Sequence, residues 1–137
     1  MKRFFILAIF LLSTFYFIHS TSFVYAEGEF DLSLSDTYGV QTNGTTIVTH
    51  EITLTNLYSL IYAVSYSFIL QGLTPENVSA QENGKNLPVQ ISQENKQTTL
   101  TVTFPDAVVG RGKSRTFTIN YEDQTIAIKN GQVWDIT

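Results

Sequence analysis

The sequence predicts an all-β fold: an immunoglobulin-like two-sheet β-sandwich preceded by an N-terminal hydrophobic signal helix. Three observations predict it. Four runs alternate apolar and polar residues with period two, the mark of half-buried strands. Turn dipeptides recur about every ten residues, the rhythm of a sandwich. Beyond the N-terminal segment, no stretch of ordinary length is periodic as a helix and nothing else.

The first 26 residues read as a secretory signal peptide. Lys2 and Arg3 form a positive start, Phe4 to Ile18 is apolar and uncharged, and Val24-Tyr25-Ala26 has the residue sizes of a cleavage site. The apolar run is short of the about 20 residues a bilayer-spanning helix needs, and His19 to Ser22 interrupt it. Phe23 to Ala26 could extend it, so an uncleaved anchor stays open as the alternative. Residues 27–137 then form one domain, of a size that supports a single core.

The first strand is read in EFDLSLSDTY, with Phe30, Leu32 and Leu34 on one face. In TTIVTHEITLTN, Val48, His50, Ile52 and Leu54 share a face, against Ile47, Thr49, Glu51 and Thr53. LYSLIYAVSYSFIL fits both periods, and the strand is preferred from Tyr62 on because aromatic, Val and Ser residues are weak helix formers. Its second face, with Ile61, Ala63 and Ile69, is also apolar, which predicts a central strand covered on both sides. TTLTVTF gives Leu100, Val102 and Phe104 inward, and RTFTINYE gives Phe117, Ile119 and Tyr121. Threonine on the opposite faces suits a solvated pleat. Asn43-Gly44, Asn83-Gly84 and Asn130-Gly131 are hairpin dipeptides that accept positive φ, and Asn95-Lys96 is a weaker one. Pro75, Pro88 and Pro105 fall at run edges. A small barrel is the alternative architecture.

Composition removes whole classes of function. All 12 acidic residues but only six of the eight basic ones lie beyond residue 26, so the domain is acidic, at −6. A nucleic-acid binder needs a basic stripe to displace counterions from phosphate, and none exists here. There is no cysteine, hence no thiol nucleophile, thiolate metal site, redox pair or disulfide. His50 is the single histidine past residue 26, so a multi-histidine zinc site is excluded.

The chemistry-bearing motifs are weak. Gly112-Lys113-Ser114 copies the tail of a phosphate-binding loop, but that loop needs a glycine where Ala107 stands and a helix where a strand follows. The stretch is read as a turn in which Arg111, Lys113 and Arg115 solvate the loop and blunt an edge. His50 is read as a core or boundary histidine, since its neighbour Glu51 lies on the opposite face. Glu27, Glu29, Asp31 and Asp36 form a solvated acidic edge without the spacing of a calcium loop. Tyr58, Tyr62, Tyr66 and Phe68 read as core, with a partner surface as the alternative. Asn43 and Asn77 head N-glycosylation tripeptides at expected turns. Val133 to Ile136 form a final strand around the one tryptophan, Trp134, and a continuation beyond Thr137 is expected. No catalytic, cofactor-binding or metal-binding residue is assigned, and no cofactor is expected.

Taken together, the signal segment, TNLYSLIYAVSYSFIL, VVGRGKSRTFTINYED and KNGQVWDI resemble the N-terminal β-sandwich domain of exported bacterial transglutaminase-like proteins. In that family the sandwich precedes a Cys-His-Asp domain of papain-like type. The resemblance implies an accessory domain and carries no catalytic residue onto this chain. The expected function is therefore a non-catalytic exported module, an accessory or protein-interaction domain at the cell envelope of a larger protein. Its expected partner is a protein or a downstream domain of the same polypeptide, with membrane contact only through an uncleaved N-terminal segment. The alternative is a stand-alone secreted carbohydrate-binding or carbohydrate-active domain, whose hydrolytic form would need two carboxylates flanking a cleft.

Overall fold

The structure is a computed structural model that describes residues 28–131 and 133–136. The expected signal peptide, residues 1–26, lies outside the described residues. Ten strands follow in order: β1 Phe30–Val40, β2 Thr46–Asn56, β3 Ser65–Gln71, β4 Glu76–Glu82, β5 Lys85–Leu87, β6 Val89–Glu94, β7 Gln97–Thr103, β8 Ser114–Asp123, β9 Ala127–Asn130 and β10 Val133–Ile136. Among the described residues the fold is all-β, without a helix.

One sheet has five strands in the order β1-β2-β8-β4-β5, a second has three in the order β3-β7-β6, and β9 with β10 forms a separate hairpin. All pairings are antiparallel. The consecutive strands β2 and β3 pair with β8 and β7 respectively, and the chain crosses from sheet to sheet four times between β2 and β8, so the two sheets interlock. The inward residues of both sheets merge into one core: Val48, Ile52 and Ile119 from the larger sheet, Leu100 and Val102 from the smaller, all inaccessible to solvent. Phe117 sits centrally, with ring centres of Phe104 and Tyr66 at 5.0 and 5.6 Å in edge-on arrangements. Such tilted pairs favour the ring quadrupole as well as burial.

The alternation in β2, β7 and β8 places the expected residues inward. Two of the turns use two consecutive positive φ angles, Asn83 with Gly84 and Asn95 with Lys96, which matches the twist of the strands they join. Asn95-Lys96, the weaker sequence signal, thus makes the same kind of turn as Asn83-Gly84.

Four expectations are corrected. Tyr62 and Val64 are not in the strand: β3 starts at Ser65, and Leu57 to Val64 is a loop that carries the chain between sheets. β3 is also an edge strand, with its outer Ile69 in solvent, and not a central one covered twice. β8 lies between β2 and β4, so Arg115 blunts no edge and is itself 4% exposed. Arg115 Nε donates to Glu82 Oε1 at 2.9 Å, and its guanidinium lies 4.1 Å from the centre of the Phe104 ring. Asn77 lies in β4, where the pairing with β8 shifts register, rather than in a turn.

Candidate functional site

The register of β1 on β2 brings together the most chemically capable groups among the described residues. Asp36 stands opposite His50, Leu34 opposite Ile52, and Tyr38 opposite Val48. Even-numbered residues of β1 therefore point to the core side, as read from the sequence. Their burial differs from that expectation. The five-stranded sheet overhangs the three-stranded one, so Leu32, Leu34 and Tyr38 are 50%, 45% and 49% exposed.

His50 is 2% exposed, and both its ring nitrogens have partners. Nδ1 lies 2.6 Å from Asp36 Oδ1, and Nε2 lies 3.2 Å from Tyr121 Oη. The Phe68 ring packs on the imidazole at 4.5 Å between centres. Carboxylate, imidazole and phenol thus form a chain that runs from the edge strand through β2 to β8. Burial, with the nearby Tyr38, Asp123 and Asp36, raises the Tyr121 pKa well above its ordinary 10.0. A phenol held neutral in this way donates or accepts a hydrogen bond and is a poor nucleophile. Tyr66 is raised as well, by burial and then by Asp36.

The acidic edge of the sequence reading therefore divides. Glu29 and Asp31 are exposed, whereas Asp36 is the partner that His50 needs. Residue spacing did not reveal this pairing because it depends on the β1–β2 register. The even parity of Asp36 with Leu32 and Leu34 was the available signal. No group of three or more possible metal ligands occurs among the described residues.

A second cluster lies at the end of the sheets where β2 stops. Asn56, 4% exposed, exchanges backbone hydrogen bonds with the glycine-rich loop, from its N to Lys113 O at 2.9 Å and from Gly112 N to its O at 2.8 Å. Its side-chain amide donates to Ile61 O and Val108 O at 3.1 and 2.7 Å. The loops after β2 and before β8 are thereby joined side by side. Gly112-Lys113-Ser114 is a turn leading into strand β8, as the sequence predicts, and no helix terminus among the described residues faces it. Leu57, Tyr58, Ser59 and Arg111 border a shallow hollow between the two loops. The expected aromatic set splits here: Tyr66 and Phe68 pack against the core, while Tyr58 and Tyr62 are in solvent.

At the opposite end Asp123, 1% exposed, accepts from Thr74 N at 3.0 Å and from Thr125 N at 2.7 Å. Such a carboxylate fixes loops and leaves no oxygen directed at a ligand. The chain matches no protein-family model, and it matches no curated protein.

Proposed function

We propose that this chain is a non-catalytic exported module of immunoglobulin-like sandwich architecture, an accessory or protein-interaction domain at the cell envelope of a larger protein. The observation that carries the reading is β1. Among the described residues it is an edge strand of 11 residues without proline or lysine, and its core-side Leu32, Leu34 and Tyr38 are about half exposed. Long, uninterrupted edges are templates for strand addition. The opposite edge of the same sheet is guarded: β5 is three residues long, and Pro88 lies between it and β6. His50 supports the non-catalytic part, because its ring is enclosed and both nitrogens are engaged. The order of charged, apolar and small residues at the start of the chain supports export. The partner is an extended segment, from another protein or a following domain, that lies along β1 and covers Leu32, Leu34 and Tyr38.

A photo-cross-linking amino acid placed at Leu34, and in a second protein at Ser33, tests this in the full-length product of the source cell. Position 34 is expected to give one discrete adduct, identified by mass spectrometry, and position 33, on the outer face, none. The reading fails if neither position gives an adduct or both give the same mixture.

A further inference from the structure

The free edge of β1 is complementary to itself. β1 pairs with β2 alone, so among the described residues its other edge is unpaired over all 11 residues. Asp31 to Tyr38 are exposed along it. A strand laid antiparallel beside it sets each residue opposite one on the same face of the sheet. The identities of the opposed residues therefore decide which strand fits.

Two copies of β1 related by a twofold axis perpendicular to the sheet lie antiparallel and keep their faces. With the axis at Ser35, the midpoint of the strand, every residue of β1 has an opposite. On the core side Leu32 meets Tyr38, Leu34 meets Asp36, and Phe30 meets Val40. On the outer face Ser33 meets Thr37, Asp31 meets Gly39, and Ser35 meets its own copy. Aromatic–aliphatic and hydroxyl pairs support a sheet, whereas like charges directly opposite destabilise one. No two charges are directly opposed in this register. Moving the axis to Asp36 sets the two Asp36 side chains against each other. Moving it to Leu34 sets Leu32 against Asp36 and leaves Gly39 and Val40 beyond the partner strand. An axis between two residues opposes the core side of one copy to the outer face of the other.

The remaining charges agree. About the Ser35 axis the two Asp36 residues are diagonal neighbours, at about 7–8 Å. Each carboxyl is drawn toward its own His50, with Oδ1 2.6 Å from Nδ1 on β2. An inward-pointing charge is one device that blunts a free edge, and this contact turns it away from the edge. Glu51 stands opposite Ser35 on β2, so the two Glu51 residues are three strand spacings apart, about 14 Å. That exceeds the screening length of about 10 Å at moderate salt. Leu32, Leu34 and Tyr38, about half exposed in one copy, all gain cross-strand neighbours.

We propose that the strand added to β1 is β1 of a second copy of this chain, antiparallel about a twofold axis at Ser35, so that the five-stranded sheets of the two copies become continuous. This rests on the reading of β1 as a site of strand addition and names the strand that is added.

The sequence has no cysteine, so introduced thiols meet no others in the pair. The full chain is produced in the source cell with a single substitution and oxidised in place with copper–phenanthroline. Directly opposed Cα atoms lie about 4.5–5.5 Å apart, within reach of a disulfide. Ser35→Cys is expected to yield a dimer in which two copies of the same β1 peptide are linked, identified by mass spectrometry. Ser33→Cys and Thr37→Cys are each expected to yield several-fold less alone, and to link to each other when produced together. All three side chains are exposed, so the core is untouched. A dimer from Ser33→Cys alone in place of Ser35→Cys overturns the axis at Ser35. Equal yields from the three single variants indicate random collision and overturn the pairing. If Ser35→Cys gives no dimer while a photo-cross-linker at Leu34 joins a different polypeptide, the second copy is overturned and strand addition stands. If neither position gives a product, both fall.

Discussion

Asp36 and His50 face each other across β1 and β2, with Oδ1 and Nδ1 2.6 Å apart, and this contact joins the exposed edge strand to the enclosed core. The His side chain is nearly inaccessible, while the Asp carboxyl is about one-third exposed. A hydrogen bond with this asymmetry orients the ring and holds the middle of β1. Asp36→Asn and Asp36→Ala are expected to lower stability by about 1–2 kcal/mol, more for Ala, which leaves Nδ1 buried without a partner. Amide exchange along β1 should accelerate more than along β8. Equal acceleration in both strands would show that the contact supports the whole fold rather than the edge.

The raised pKa of Tyr121 makes stability fall at alkaline pH. In the unfolded chain its hydroxyl ionises around its ordinary value of 10.0, while in the fold it retains its proton. The folded state therefore binds more protons above pH 10, and stability decreases as pH rises there. The slope is about 1.4 kcal/mol per pH unit for each such tyrosine. Tyr66, shifted in the same direction, adds to it. Tyr121→Phe should lose the His50 hydrogen bond, at a cost of about 1 kcal/mol near neutrality, and flatten the alkaline decline. Denaturant midpoints measured across that range check both effects.

Asn56 satisfies two carbonyls on two loops with one amide. Asn56→Ala leaves Ile61 O and Val108 O without that donor and is expected to cost about 2–3 kcal/mol. Asn56→Asp should be no better, because the carboxylate accepts and cannot donate. Proteolysis within Leu57 to Val64 should become faster in both variants, and unchanged cleavage would remove Asn56 from its role of joining the loops.

Gly44 has φ +94°, and an added Cβ would meet the Trp134 ring carbons at 3.2 and 3.3 Å. Gly44→Ala thus combines backbone strain with a clash, and a loss of about 1–2 kcal/mol is expected. Trp134 is the only tryptophan in the sequence, so its emission reports the displacement directly. A changed emission with unchanged β1–β2 amide exchange would localise the effect to the β9–β10 hairpin.

The sequence by itself determined the faces of β2, β7 and β8, because side-chain direction in a strand alternates locally whatever its neighbours are. It also determined the turn at Gly112-Lys113-Ser114, since the alternation of RTFTINYE excluded a helix at that point. The exclusion of thiol and multi-histidine chemistry followed from composition alone. Tertiary structure decided which strands lie at edges, because strand order arises from pairings between residues far apart in the chain. That order left Leu32 and Leu34 half bare, buried Arg115 between Glu82 and Phe104, and turned Asp36 from a solvated charge into the partner of His50. Alternation specifies the side of a sheet to which a residue points, and only the packing of the second sheet determines whether that side is covered.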